Sequence, residues 1–181
     1  YVDCMTMRSC YPTSKRAAET LCVAYAKQFD VDVVVARLCH TYGPNFTEQD
    51  NRAYAQFFIK ALQGEDIVLK STGDQYRSWL YVEDCASAIL TILLNGKSCE
   101  AYNVADETSC VTIKELAEKI AKLGKVKVVF DLPSDIERKG FSVIKKATFD
   151  TSKLLDLGWK AKYSLDEGLK STFEKLILQK S

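Results

Sequence analysis

The chemistry in this sequence starts at Tyr11-Pro12-Thr13-Ser14-Lys15. Pro12 suits the first turn of a helix, and the apolar spacing through Ala17, Ala18, Leu21, Cys22, Ala24, Tyr25 and Phe29 predicts that the helix runs on to Phe29. Residues four apart share a helix face, so Tyr11 and Lys15 are neighbours. A free tyrosine ionises near pH ~10, and an ammonium group beside it favours the phenolate. The pair then makes a general base for an alcohol. Alcohol oxidation needs such a base, because a proton leaves the oxygen while a hydride leaves the carbon. A cationic nicotinamide, the usual hydride acceptor, would favour the phenolate further. The pair alone is a weak signal, and an exposed Tyr-Lys pair on a surface helix is the plain alternative.

The elements that must position this pair follow in order. Val31 to Leu38 is nearly all aliphatic, which predicts a strand buried on both faces of a parallel sheet. It leads through Cys39-His40-Thr41-Tyr42 into the turn Gly43-Pro44-Asn45. Ligands of such α/β units lie beyond the carboxyl ends of the strands, which puts His40, Tyr42 and Asn45 in the crevice. Helices are predicted from about Asn51 to Gln63 with Gly64 as the stop, and from Asp84 to Leu94 with Asp84 as N-cap. Two capping boxes, Thr112 to Glu115 and Ser164 to Glu167, open two further helices. A short helix runs from Ser152 to Leu157, closed by Gly158. Short strands are expected at Ile67 to Leu69, Trp79 to Val82, Tyr102 to Val104 and Val126 to Phe130, and residues 131–147 read as irregular.

With 47% hydrophobic and 27% charged residues, the chain suits one globular unit or a large part of one. A net charge of +1 gives no general attraction to nucleic acid or to an acidic membrane, and no apolar run is long enough to span a bilayer. One histidine and no C-x-x-C pair argue against a metal site. The seven cysteines read as reduced, core-filling residues of a cytoplasmic protein. The eight glycines are scattered, with no two within three residues of each other, so a Gly-rich phosphate-binding turn has no place between Tyr1 and Ser181. A nucleotide enzyme with this spacing must be represented here by its C-terminal part.

Taken together, the motifs resemble the extended short-chain dehydrogenase/reductases of the nucleotide-sugar epimerase, dehydratase and decarboxylase group. The resemblance covers essentially the whole chain. It rests on Tyr11-x-x-x-Lys15 with Ala18-Glu19, Arg37-Leu38 through Tyr42-Gly43-Pro44, Gly73-Asp74-Gln75-Tyr76-Arg77-Ser78-Trp79-Leu80-Tyr81-Val82-Glu83-Asp84, Tyr102-Asn103-Val104 and Leu157-Gly158-Trp159. It implies an α/β fold, the C-terminal part of a Rossmann-type parallel sheet plus a smaller mixed α/β substrate-binding region. Residues 1–45 would end the dinucleotide-binding fold. Residues 46–181 would be mainly substrate-binding, with some segments returning to the sheet.

The resemblance also implies roles. Tyr11 is the base, and Lys15 holds the nicotinamide ribose and tunes Tyr11. Tyr42 touches the cofactor. Arg77 binds the diphosphate, for which a guanidinium fork is suited, and Arg138 resembles a second phosphate ligand. His40 and Asn45 face the substrate. His40 departs from relatives, which often carry Asn there, and so leaves the substrate open. Trp79, Leu80, Tyr81 and Trp159 read as packing. The expected cofactor is NAD, held mostly by a preceding segment, the expected ligand is a nucleoside-diphosphate sugar, and the full-length protein is expected to form a homodimer through the Tyr11 helix. The Ser or Thr beside the tyrosine and the acidic residues used for elimination also belong upstream. These decide between epimerase, dehydratase and UDP-glucuronate decarboxylase chemistry. A reductase of a non-sugar carbonyl using NADPH and a non-catalytic fragment are the remaining alternatives.

Overall fold

The computed structural model describes residues 3–47, 49–132 and 144–180. Arg138 lies outside the described residues. A 3-10 turn at Met7–Ser9 leads into α1 (Cys10–Phe29), then β1 (Val35–Leu38) and β2 (His40–Tyr42). There follow α2 (Ala53–Gln63), β3 (Ile67–Leu69), β4 (Tyr76–Tyr81), α3 (Val82–Asn95), β5 (Ala101–Val104), β6 (Cys110–Thr112), α4 (Ile113–Gly124) and β7 (Val128–Phe130). The chain closes with β8 (Lys146–Ala147), α5 (Ser152–Asp156) and α6 (Leu165–Lys180). The helix ends follow local chemistry. Gly64 stops α2 in the left-handed region at φ 71°, and Thr112 and Glu115 exchange both bonds of a capping box at the start of α4.

Strand pairing is mostly parallel. β1 pairs with β5, β2 with β4, β3 with β7 and β8 with β4, while β6 runs antiparallel to β4. β4 is the hinge of the architecture. Side chains alternate across a strand, so Trp79 and Tyr81 enter one core with α2, α4 and α6. Leu80 enters the other, with Ala88 and Ile92 of α3, Tyr102 and Val104 of β5, Leu154 and Trp159. The second core draws on segments far apart in sequence and packs them behind β1 and β5.

Three expectations need correction. The stretch from Val31 is not a doubly buried strand: only Val35–Leu38 is extended into pairing, and Leu38 is 45% exposed. Its edge opposite β5 has no partner among the described residues. Asp84 is no N-cap. It lies in the first turn of α3, 1% exposed, and its carboxylate accepts the Lys162 N–H at 2.9 Å and the Tyr163 N–H at 3.0 Å. The cysteines do not all fill cores, since Cys4, Cys10 and Cys99 are exposed and only Cys39 and Cys85 are buried. Among the described residues no helix is long and apolar enough to cross a membrane.

Candidate active site

α1 presents Tyr11 and Lys15 on one face, as a four-residue spacing requires. The Lys15 ammonium stands 5.5 Å from the centre of the Tyr11 ring, and the phenol is open to solvent, 71% exposed. Arg37 on β1 pairs with Glu19 on α1 through two bonds of 2.6 and 2.8 Å. That bidentate pair ties the helix to the strand beside the motif and lowers the Glu19 pKa through the guanidinium's hydrogen bonds.

Two clefts open on either side of Tyr11. One, of ≈ 520 Å³, runs between α1 and β1 and takes in Lys15, Ala18, Cys22 and Ala36. The other, of ≈ 680 Å³, runs past the end of β1 toward α2 and takes in His40, Thr41, Arg52, Tyr54 and Trp79. His40 and Trp79 are register partners on β2 and β4, with ring centres 5.2 Å apart. His40 keeps an exposed edge on the cleft, while the desolvation of the rest of its ring lowers its pKa and the nearby Arg77 charge lowers it further, against a smaller opposing pull from the Ser78 backbone. A neutral imidazole can donate from one nitrogen and accept at the other. Arg52 is clamped by Asp50 at 2.5–3.0 Å, and its guanidinium lies 4.9 Å from the centre of the Tyr54 ring. The Trp79 indole N–H is sealed from solvent without an acceptor among the described residues.

Arg77 is next to this site and only 8% exposed. Its guanidinium donates to the carbonyls of Tyr76 (2.9 Å), Ile144 (2.7 Å) and Lys145 (3.4 Å). No ion pair joins it to a carboxylate of the described residues. Burial lowers its pKa accordingly. A buried cation whose partners among the described residues are all carbonyl dipoles is a favourable place for an anion to approach.

The structure therefore gathers Tyr11, Lys15 and His40 around connected clefts, with Arg77 behind His40. It does not bring Tyr42 or Asn45 there. Tyr42 is 2% exposed in the first core, its hydroxyl donating to the Leu165 carbonyl at 3.2 Å. α6 seals it: a Cβ on Gly168 would sit 2.2 Å from that hydroxyl. Asn45 is exposed past the turn, accepting from Gln179 of α6 at 3.4 Å. The strand face that is open at His40 is closed two residues later, which strand alternation alone does not reveal. Arg52, Tyr54 and Phe149 line the clefts and carry no sequence signal of their own, since each reaches the site through tertiary packing.

As for the cofactor, the residues present fit one end of a dinucleotide. The cleft beside Lys15 offers an ammonium donor, the phenol and an apolar wall, which suits a ribose and a flat ring. No glycine turn is present for a pyrophosphate.

Comparison with known proteins places the chain in a family and a fold. Residues 3–105 match the model of the NAD dependent epimerase/dehydratase family. The chain is 33% identical over 175 residues to UDP-glucuronic acid decarboxylase 1 of Xenopus tropicalis, covering 95% of this chain and 40% of that protein. Among solved structures it resembles the UDP-glucose 4-epimerase of Thermotoga maritima with UDP-glucose, at TM-score 0.82 and 24% identity, covering 94% of this chain and 54% of that one. It also resembles a dTDP-glucose 4,6-dehydratase of Bacillus anthracis in complex with NAD, at TM-score 0.77 and 25% identity, covering 94% and 52%. The chain thus spans about half the length of the proteins it matches. Its α/β fold, its Tyr-x-x-x-Lys helix and the match over residues 3–105 make it a member of the NAD dependent epimerase/dehydratase family.

Proposed function

We propose that this chain is the substrate-facing part of an NAD-dependent enzyme acting on a nucleoside-diphosphate sugar. The observation that carries the reading is the position of Tyr11 where two clefts meet, with Lys15 on one side and His40 on the other. Tyr11 takes the proton of the sugar 4-hydroxyl and later returns it. Lys15 stabilises the phenolate and holds the nicotinamide ribose. NAD held beside Lys15 and Tyr11 would supply the hydride acceptor. His40 hydrogen-bonds a sugar oxygen as a neutral imidazole, and Arg77 draws the diphosphate. In this reading residues 1–45 complete a dinucleotide-binding fold, while the rest is mainly substrate-binding. Tyr42 and Asn45 hold the β2 turn against α6 rather than touching ligand. The odd cysteine count with no C-x-x-C pair favours a cytoplasmic protein.

Within the family the same transient ketone leads to epimerisation, dehydration or decarboxylation. The 33% identity to a UDP-glucuronic acid decarboxylase favours a UDP-uronate as substrate and decarboxylation as outcome. The test is Tyr11→Phe in the full-length protein. Turnover should fall ~100- to 10,000-fold, the usual contribution of a general base, with NAD affinity nearly unchanged. Turnover within about threefold of wild type removes Tyr11 from that role.

A further inference from the structure

The two clefts share three side chains: Tyr11, Leu38 and Phe149. Tyr11 and Leu38 belong to the helix and strand that define the motif. Phe149 arrives from the far end of the chain, on the segment between β8 and α5, and that segment is pinned on both sides. Upstream, Ala147 pairs with Arg77 of β4, and the Arg77 guanidinium grips the carbonyls of Ile144 and Lys145. Downstream, the Asn103 amide donates to the Asp150 carbonyl at 2.8 Å. The Glu107 carboxylate accepts both the N–H and the hydroxyl of buried Thr151, at 3.2 and 2.8 Å. Phe149 itself is half-buried, backed by the second core. A ring held this way has little freedom to leave the junction.

We propose that Phe149 is a positioning residue of the reaction centre: its ring is the wall between the nicotinamide side and the sugar side, and holds the two reactants in line at Tyr11. This rests on the reading of Tyr11 as the base. An apolar ring suits that place for two reasons. It keeps water from the path between the reacting carbons, and it has no polar atom to compete for the proton that Tyr11 must take. Near-attack geometry tolerates little error, since a misplacement of about 1 Å costs about a hundredfold in rate.

The test uses the full-length protein loaded with NAD and compares Phe149→Ala, Phe149→Leu, Val34→Ala and Tyr11→Phe. Val34 packs on the same core but lines neither cleft, so Val34→Ala controls for core loosening. Three quantities are read: kcat and KM for the nucleotide sugar, the calorimetric Kd for UDP alone, and the fraction of enzyme left with reduced nicotinamide absorbance after a single turnover. Phe149→Ala should lower kcat about tenfold to a hundredfold and raise the stranded reduced fraction, with the Kd for UDP within about twofold. Phe149→Leu, which keeps most of the apolar volume, should move both in the same direction by less. Val34→Ala should move neither. Phe149→Ala with kcat and reduced fraction within about twofold of wild type overturns the proposal, as does a Val34→Ala that reproduces its effects. A Tyr11→Phe variant that still turns over strikes the underlying reading instead. An inactive Tyr11→Phe beside an unaltered Phe149→Ala strikes the wall alone.

Discussion

His40 sits between two influences that both disfavour its charge, packing against Trp79 and the guanidinium of Arg77. Its folded pKa therefore lies below that of an ordinary imidazole. For a base with a depressed pKa, the folded state binds fewer protons than the unfolded chain in the window between the two values. The stabilisation is full above the unfolded pKa and is lost as pH falls through the folded one. Denaturant midpoints should therefore drop on acidifying below pH ~6.5. His40→Asn should flatten that part of the profile. Glu19, Asp50 and Glu83 do not confuse the window, because hydrogen bonds from Arg37, Arg52 and Lys175 hold their pKa values low, Glu83 at about 2. An equal acid slope in His40→Asn and wild type would assign the loss to other groups. At this scale the sequence was most readable where chemistry is local. The four-residue spacing of Tyr11 and Lys15 needs only helix geometry. Phe149 was unreadable because its place depends on Arg77, Asn103 and Glu107, each distant in sequence.

The helices with written-in ends were legible as elements. α2 stops at Gly64, and α4 and α6 open on reciprocal Ser/Thr–Glu boxes, with Glu167 bonded to the Ser164 N–H at 2.9 Å. The short strands β6 and β8 were not, since neither carries an aliphatic run like Ile67–Leu69 of β3, and both are extended by pairing with β4. Asp84 shows the same limit in a helix. Its position near the start of α3 reads as a cap, whereas its carboxylate reaches across to the backbone of Lys162 and Tyr163 and fixes the approach to α6. Tyr163 adds to this clasp, its hydroxyl donating to Glu83 at 2.8 Å and its ring lying 4.9 Å from that of Tyr81. Hydrogen bonds to a charged group are worth ~1.5–3 kcal/mol each, and orphaned buried donors add to the loss. Asp84→Ala should therefore cost about 3 kcal/mol or more, read as a fall in the urea midpoint at unchanged slope. Glu83→Ala, on an exposed pair, should cost well under half as much. Equal losses would mean that the α6 side of the clasp, not Asp84, carries the stability.

Across the whole molecule, the chain spans about half of its matched relatives and leaves apolar surface uncovered. Only Ala26 of α1 is buried, while Leu21, Tyr25 and Phe29 are 57%, 57% and 55% exposed, with the last two rings 5.1 Å apart. The sequence marks a broad apolar face on this helix, and the family resemblance assigns it to a homodimer; the apolar pattern itself records a need for burial and not the partner. β1 adds Leu38 and an edge without a described neighbour. Two consequences follow for the isolated chain. With no glycine turn to anchor a pyrophosphate, NAD should bind no tighter than the millimolar range, about 4 kcal/mol, by calorimetry. A micromolar Kd would mean that a different part of the fold holds the dinucleotide. The second consequence concerns assembly. A contiguous stripe of three large apolar side chains along one helix is more than a solvated surface usually carries, and a second copy offers the same stripe. The scattering mass of the chain should therefore rise above 20.3 kDa with concentration. The double variant Leu21→Glu with Tyr25→Glu puts like charges four apart on the stripe, where they repel across any self-contact as well as along the helix. It should return the mass to 20.3 kDa while leaving the helix content by circular dichroism nearly unchanged, since both sites are exposed. A wild-type chain that stays at 20.3 kDa throughout would place the burial of this face wholly with the remainder of the parent protein.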